Sequence, residues 1–213
     1  MLFDQSGNRK YLTAGERQAF IVAARKFDPA VETFCHTIAY TGARISEVLA
    51  LTTARIDLLA AVIVIECLKR RTPGIFRAVP VPSELLVRLE NVHGISLAQS
   101  DKTRREERIW DWCRTTGWER VKDVMAEAVI ADARAMPKAL RHAFGVEGTA
   151  EAGVPLNVMQ KWMGHARIET TAIYANAVGR EERALAARMW SGLSASNENI
   201  EALAGGPLEN VPH

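Results

Sequence analysis

The 213-residue chain is sparing in several features that mark whole classes of protein. Its three cysteines, Cys35, Cys67 and Cys113, are odd in number and widely spaced, with no CxxC pair. That argues against a disulfide framework or a thiolate zinc site and fits a reducing, cytoplasmic setting. No apolar run reaches the roughly 18–20 residues of a membrane span, and the longest strong one, residues 58–65, is strand-sized. The opening Met1-Leu2-Phe3-Asp4-Gln5 lacks the basic and apolar regions of a signal peptide. The five histidines form no HExxH or other ligand-like pair, so no metal site is expected. GxGxxG, P-loop and GxSxG patterns are missing too, which removes the dinucleotide, nucleotide-phosphate and serine-hydrolase signatures.

With 48% hydrophobic and 24% charged residues, the composition is that of a globular chain able to bury a sizeable core. Its length suits one domain or two small ones. The formal net charge of +2 hides an asymmetry. Residues 191–213 hold Glu198, Glu201 and Glu209 and no Lys or Arg, leaving 27 basic against 22 acidic residues, a net +5, for residues 1–190. Basic residues cluster at Lys69-Arg70-Arg71 and at Lys102, Arg104, Arg105 and Arg108. This charge permits a polyanionic partner, although solvated surface explains it as well.

Thr13-Ala14-Gly15-Glu16 has capping-box spacing and opens a first helix. After Asp28-Pro29 a second helix is predicted over 30–40, ending at Gly42, and a short third one over 44–51. The period then changes: residues 61–68 and 75–81 read as two strands around the basic Lys69-to-Gly74 turn, a β-hairpin. A helix follows over 83–89, a loop over 94–103, and helices over 118–130, 138–152 and from Pro155 to Gly164. In the last of these Leu156, Met159 and Met163, at i, i+3 and i+7, read as core. An amphipathic helix is expected over 181–190, starting at Glu181 and carrying Leu185, Met189 and Trp190. Beyond it, residues 191–213 read as a polar, flexible tail. The expected class is mainly α with a small β-hairpin, α+β.

Three segments stand out as a set. They are Thr41-Gly42-Ala43-Arg44-Ile45-Ser46-Glu47-Val48-Leu49, then Pro137-Lys138-Ala139-Leu140-Arg141-His142, then Met163-Gly164-His165 followed nine residues later by Tyr174. In this order they resemble the boxes of the tyrosine recombinase (phage-integrase) family of DNA strand-transfer enzymes: TGxR-x-SE-x-L, HxLRH, and LGH with its tyrosine. The resemblance covers roughly residues 12–190 and implies that family's catalytic-domain fold.

It also implies roles. Arg44 and Arg141 would hold the scissile phosphate, whose charge grows in a five-coordinate transition state and which a planar, permanently charged guanidinium grips in two places. Glu47 would support Arg44. Lys69, at the hairpin turn, would protonate the leaving 5′ oxygen, though the run Lys69-Arg70-Arg71 leaves open which residue points inward. His165 would hydrogen-bond the same phosphate. Tyr174 would attack phosphorus to give a 3′-phosphotyrosine, conserving the bond energy so that no ATP or other cofactor is required. Arg70, Arg71, Arg77, Lys161 and Arg167 are candidate DNA contacts, and His142 reads as structural support. One position departs from the family pattern: Lys138 stands where the second box has histidine. Lysine can donate to phosphate but is a poor proton acceptor unless its pKa falls far from ~10.4.

The resemblance therefore implies a site-specific recombinase acting on double-stranded DNA as a homo-tetramer, with helix 181–190 docking on a neighbouring protomer. A DNA-binding regulator that retains the fold and a type IB topoisomerase-like enzyme are the alternatives. With only about 12 residues before the first helix, residues 1–190 are expected to be a catalytic domain without a separate N-terminal DNA-clamping domain, weak on DNA alone and reliant on neighbouring protomers or an accessory protein.

Overall fold

The computed structural model describes residues 2–69, 73–176, 183, 186 and 187. The chain divides into a compact unit, Met1–Ala177, and a second unit, Val178–His213. The expected helix over 181–190 and the tail beyond it lie outside the described residues, save Arg183, Ala186 and Ala187, which are helical.

In the first unit, α1 (Ala14–Ala24) begins at a reciprocal cap. Thr13 Oγ1 accepts from Glu16 N at 3.2 Å, and Glu16 Oε2 accepts from Thr13 N at 2.7 Å. Asp28 caps α2 (Pro29–Thr41) by accepting from Ala30 N, with Pro29 at the first helical position. Val31, Phe34, Cys35, Ile38 and Ala39 are all buried, as befits a helix sheathed by α1, by α4 (Ser83–His93) and by α7 (Pro137–Val146). The short α3 (Ile45–Leu49) follows, packed against α6 (Arg114–Glu127). Phe20, Phe34, Leu85, Leu89, Val121 and Leu140 anchor the main core, joined by Trp110, whose indole N–H donates to Ala30 O at 3.0 Å. Leu2, Val146, Met159, Met163 and Tyr174 make a second, smaller cluster.

Among the described residues the sheet is antiparallel with order β1-β2-β3: Ile56–Asp57, Val62–Glu66 and Phe76–Pro80. The expected hairpin is β2 and β3, in register Ile63↔Val79 and Ile65↔Arg77. The two-residue β1 is too short to leave a period in the sequence. Three other expectations are corrected. Residues 94–103 are not all loop: Gly94 turns through a left-handed φ of 59° and the chain re-enters a helix, α5 (Ile95–Ser100), held by buried Ile95 and Ala98. Helix α6 starts four residues before Trp118, where Cys113 caps it. The helix expected over 138–152 changes character after Val146 and continues as a π-helical turn, Glu147–Glu151.

Two left-handed glycines set the frame of the site. Gly42 (φ 60°) ends α2, and Gly164 (φ 66°) ends α8 (Leu156–Met163). A Cβ on Gly42 would lie 2.5 Å from the Phe144 ring, and its carbonyl accepts from Arg141 at 2.6 Å. Gly42→Ala is thus expected to lose at least about 1–2 kcal/mol from left-handed strain alone, more with the clash. Urea unfolding would measure it, and a loss below 0.5 kcal/mol, roughly the noise of surface changes, would contradict the argument.

Candidate active site

The left-handed turn at Gly42 delivers Arg44 to the start of α3, and α7, opened by Pro137, presents Lys138, Arg141 and His142 on adjoining turns. The turn at Gly164 places His165, after which α9 (Glu169–Ala172) and a 3-10 turn, Ile173–Asn176, carry Tyr174. These segments enclose a cleft of about 630 Å³ lined by Arg44, Lys69, Lys138, Arg141, His165 and Tyr174, all six residues named from the sequence as catalytic candidates.

Glu47 organises one wall. Its carboxylate accepts from Arg44 Nη1 (2.8 Å), from the Arg44 backbone N–H (3.0 Å) and from Arg77 Nη2 (2.7 Å). Burial pushes the Glu47 carboxyl up, but Arg77, the Arg44 N–H and Arg44's charge outweigh it and hold it below its ordinary value. Arg77, expected from the sequence as a DNA contact, is turned into the protein. Its side chain is only 2% exposed, and Nε, Nη1 and Nη2 are engaged by Trp162 O, Cys67 Sγ and Glu47. These contacts commit Arg77 to holding Glu47 and the Trp162 carbonyl in place.

Arg141 forms the opposite wall. Nη1 donates to Gly42 O, and Nη2 to Met163 O (2.7 Å) and His165 Nε2 (2.9 Å). Burial, then the neighbouring charge of Arg44, brings its pKa down to about 10, still cationic at neutral pH. A guanidinium has no acceptor, so His165 Nε2 must accept and Nδ1 must carry the proton, which points to Thr171 Oγ1 at 2.9 Å. Burial, then Arg141 and Arg44, lowers His165 to about 4, which keeps this neutral tautomer.

Tyr174 lies at the cleft's floor, only 2% exposed. Its ring stacks on His165 (centroids 6.2 Å apart, planes 12° apart) and presses on Gly145, where a Cβ would fall 2.7 Å from it. Its hydroxyl is 3.2 Å from His142 Nδ1. Burial raises the phenol's pKa against the opposing pull of Arg141 and Arg44. Lys69 and Lys138 are exposed at the rim. Lys161 is exposed and lines an adjoining cavity of about 230 Å³ with Arg77, Gly164 and His165. Arg167 is exposed on the turn after His165, and Arg70 and Arg71 lie outside the described residues.

Three contributors go unnamed in the sequence reading, and a fourth, His142, enters it only as support. Arg114 and Trp118, from the first turns of α6, line the cleft, and only the 42% exposure of Trp118 betrays that it is not core. Thr171 orients His165, and no spacing rule announces it. His142 touches the tyrosine 32 positions away.

This geometry can be set beside known proteins. Residues 10–180 match the model of the phage integrase family. Over 151 residues the chain is 30% identical to the tyrosine recombinase XerD of Yersinia pestis, covering 68% of this chain and 49% of that one, so it spans about half the length of this curated relative. Among solved structures, the XerA recombinase superposes with a TM-score of 0.68 at 23% identity, covering 84% of this chain and 64% of that one. The XerH site-specific recombinase bound to its difH substrate gives 0.66 at 18% identity, covering 88% and 59%. The catalytic domain of bacteriophage HP1 integrase gives 0.57 at 21% identity, covering 78% and 86%.

Proposed function

The chain belongs to the phage integrase family and has its catalytic-domain fold, and from this premise we propose that it is a site-specific recombinase that cuts and rejoins double-stranded DNA through a 3′-phosphotyrosine. The observation that carries the reading is the convergence of Arg44, Lys69, Arg141 and His165 around Tyr174 in one cleft. Two fixed guanidinium groups supply the positive charge that a five-coordinate phosphorus demands, on a frame already paid for in folding. Lys69, flexible and exposed at the rim, reaches the leaving oxygen, and exposed Lys161 and Arg167 serve the DNA backbone. Tyr174 sits at the floor of the cleft that these cations line, so the phosphate is to be drawn down to its hydroxyl where it lies.

The direct test is to incubate the protein with fragmented host DNA, precipitate protein-linked DNA in detergent, sequence the trapped ends, and map the modified peptide. The expected product is a DNA adduct on the Tyr174 peptide at a recurring sequence. Specific binding with no adduct would instead support a regulator that keeps the fold, a reading favoured only by the burial of Tyr174. The complete reaction joins two duplexes, so the active assembly is read as a tetramer on DNA, aided by neighbouring protomers or an accessory protein.

Lys69→Ala is expected to slow cleavage of an ordinary phosphodiester by about 10²–10⁴-fold. It should cleave a substrate with a 5′-bridging sulfur almost normally, since a thiolate departs without a proton. Equal defects on both substrates would remove Lys69 from the acid's role.

A further inference from the structure

The position that departs from the family's second box raises a question of proton balance. Tyr174 must shed a proton as it attacks; a lysine ammonium has three donors and no acceptor, and Lys138 lies exposed at the rim. The structure supplies another group. His142 lies on the same helix, four residues on, buried, with Nδ1 3.2 Å from the Tyr174 hydroxyl. We propose that His142, not Lys138, takes the phenolic proton of Tyr174 as the phosphorus–oxygen bond forms. This rests on the proposed recombinase function.

Three observations support it. First, the hydroxyl donates to Nδ1 only if the ring's proton sits on Nε2, and Nε2 is buried with no hydrogen-bond partner among the described residues. A histidine kept only for packing would be replaced at less cost by an apolar residue, because a buried unpartnered polar atom opposes folding. Second, burial, followed by the charge of Lys138, brings His142 down to about 4, so its lone pair is free at neutral pH. Third, the cations facing it among the described residues are Lys138 and Arg141 on its own helix and Lys10 from the N-terminal segment. A DNA phosphate entering the cleft offsets that positive charge and raises the ring's proton affinity when it is needed.

The step balances without outside help. The Tyr174 O–H bond breaks and its proton passes to Nδ1. Oη bonds to phosphorus, the bond to the 5′ oxygen breaks, and that oxygen takes a proton from Lys69. Rejoining reverses each transfer: the 5′-hydroxyl returns its proton to Lys69 as it attacks, and the departing phenolate recovers the one held on His142.

The test uses the full chain and a nicked suicide duplex built on the trapped sequence, with single-turnover cleavage followed from pH 6 to 9. Wild type and Tyr174→Phe run beside His142→Ala and the closer-sized His142→Gln, each checked for its melting temperature and DNA affinity. Both His142 variants should bind DNA normally and cleave about 10²–10³-fold more slowly at pH 7. Their deficit should shrink by about tenfold per pH unit as hydroxide replaces the lost base, and a 5′-bridging sulfur, which relieves Lys69→Ala, should not relieve it. Cleavage within threefold of wild type, a loss in both variants that is the same at every pH, or relief by sulfur would overturn the proposal while leaving the recombinase reading intact. No adduct from the wild type would overturn both.

Discussion

Glu47→Ala is expected to destabilise the protein by about 3–5 kcal/mol, the penalty of stranding a buried charge. Glu47 and Arg77 have side chains 1% and 2% exposed and meet at 2.7 Å, so removing the carboxylate leaves a buried guanidinium whose other partners among the described residues are a carbonyl and a thiol. The same carboxylate restrains Arg44 by two bonds, so cleavage should fall together with stability. Urea unfolding measures the first effect, and a loss under 1 kcal/mol would mean that water reaches Arg77. The pH dependence has a definite sign. The Glu47 carboxyl is held below its ordinary value in the folded state. Its stabilisation is therefore complete above the unfolded carboxyl's pKa of about 4.3 and lost as pH falls through the lower folded value. Glu47→Gln should flatten the acid limb of the stability curve below about pH 4.

Arg77 marks the boundary of what is legible in the sequence. Local rules with a mechanism read through directly: the Thr13–Glu16 cap, the stop at Gly42, Pro137 opening α7 and Gly164 closing α8. The three boxes and the hairpin turn bring six residues into one cleft, because spacing relative to a glycine turn or a helix start fixes where a side chain emerges. The charge of Arg77 points to DNA, but its period points inward. It alternates with Val79 and Val81 on the buried face of the β3 segment, a two-residue repeat written in Arg77-Ala78-Val79-Pro80-Val81 itself. The opposite case is α5, under two turns long and too short to show a period. Nothing local could reveal the contacts of His142 with Tyr174 or of Thr171 with His165, which exist only once α7, α8 and α9 pack together.

Tyr174→Phe should abolish the covalent DNA adduct outright, since no other atom of that side chain can attack phosphorus. The substitution is well suited to isolate chemistry from structure. A phenylalanine ring keeps the stack on His165 and the contact with Gly145, and preserves the small cluster of Leu2, Val146, Met159 and Met163. Only the hydrogen bond to His142 disappears, leaving Nδ1 without its phenolic partner, so stability should fall by about 1–2 kcal/mol and no more. Arg44 and Arg141 keep their partners in Glu47, Gly42 and Met163, so DNA affinity should stay within a few-fold of wild type. Denaturing-gel trapping with the suicide duplex reads the adduct, and a binding titration at fixed salt reads the affinity. An adduct that survives in Tyr174→Phe would transfer the nucleophile elsewhere. Tyr11 and Tyr40 are the remaining tyrosines, and neither lines the cleft that holds Arg44 and Arg141. Such a result would therefore displace the whole constellation and not merely one member of it.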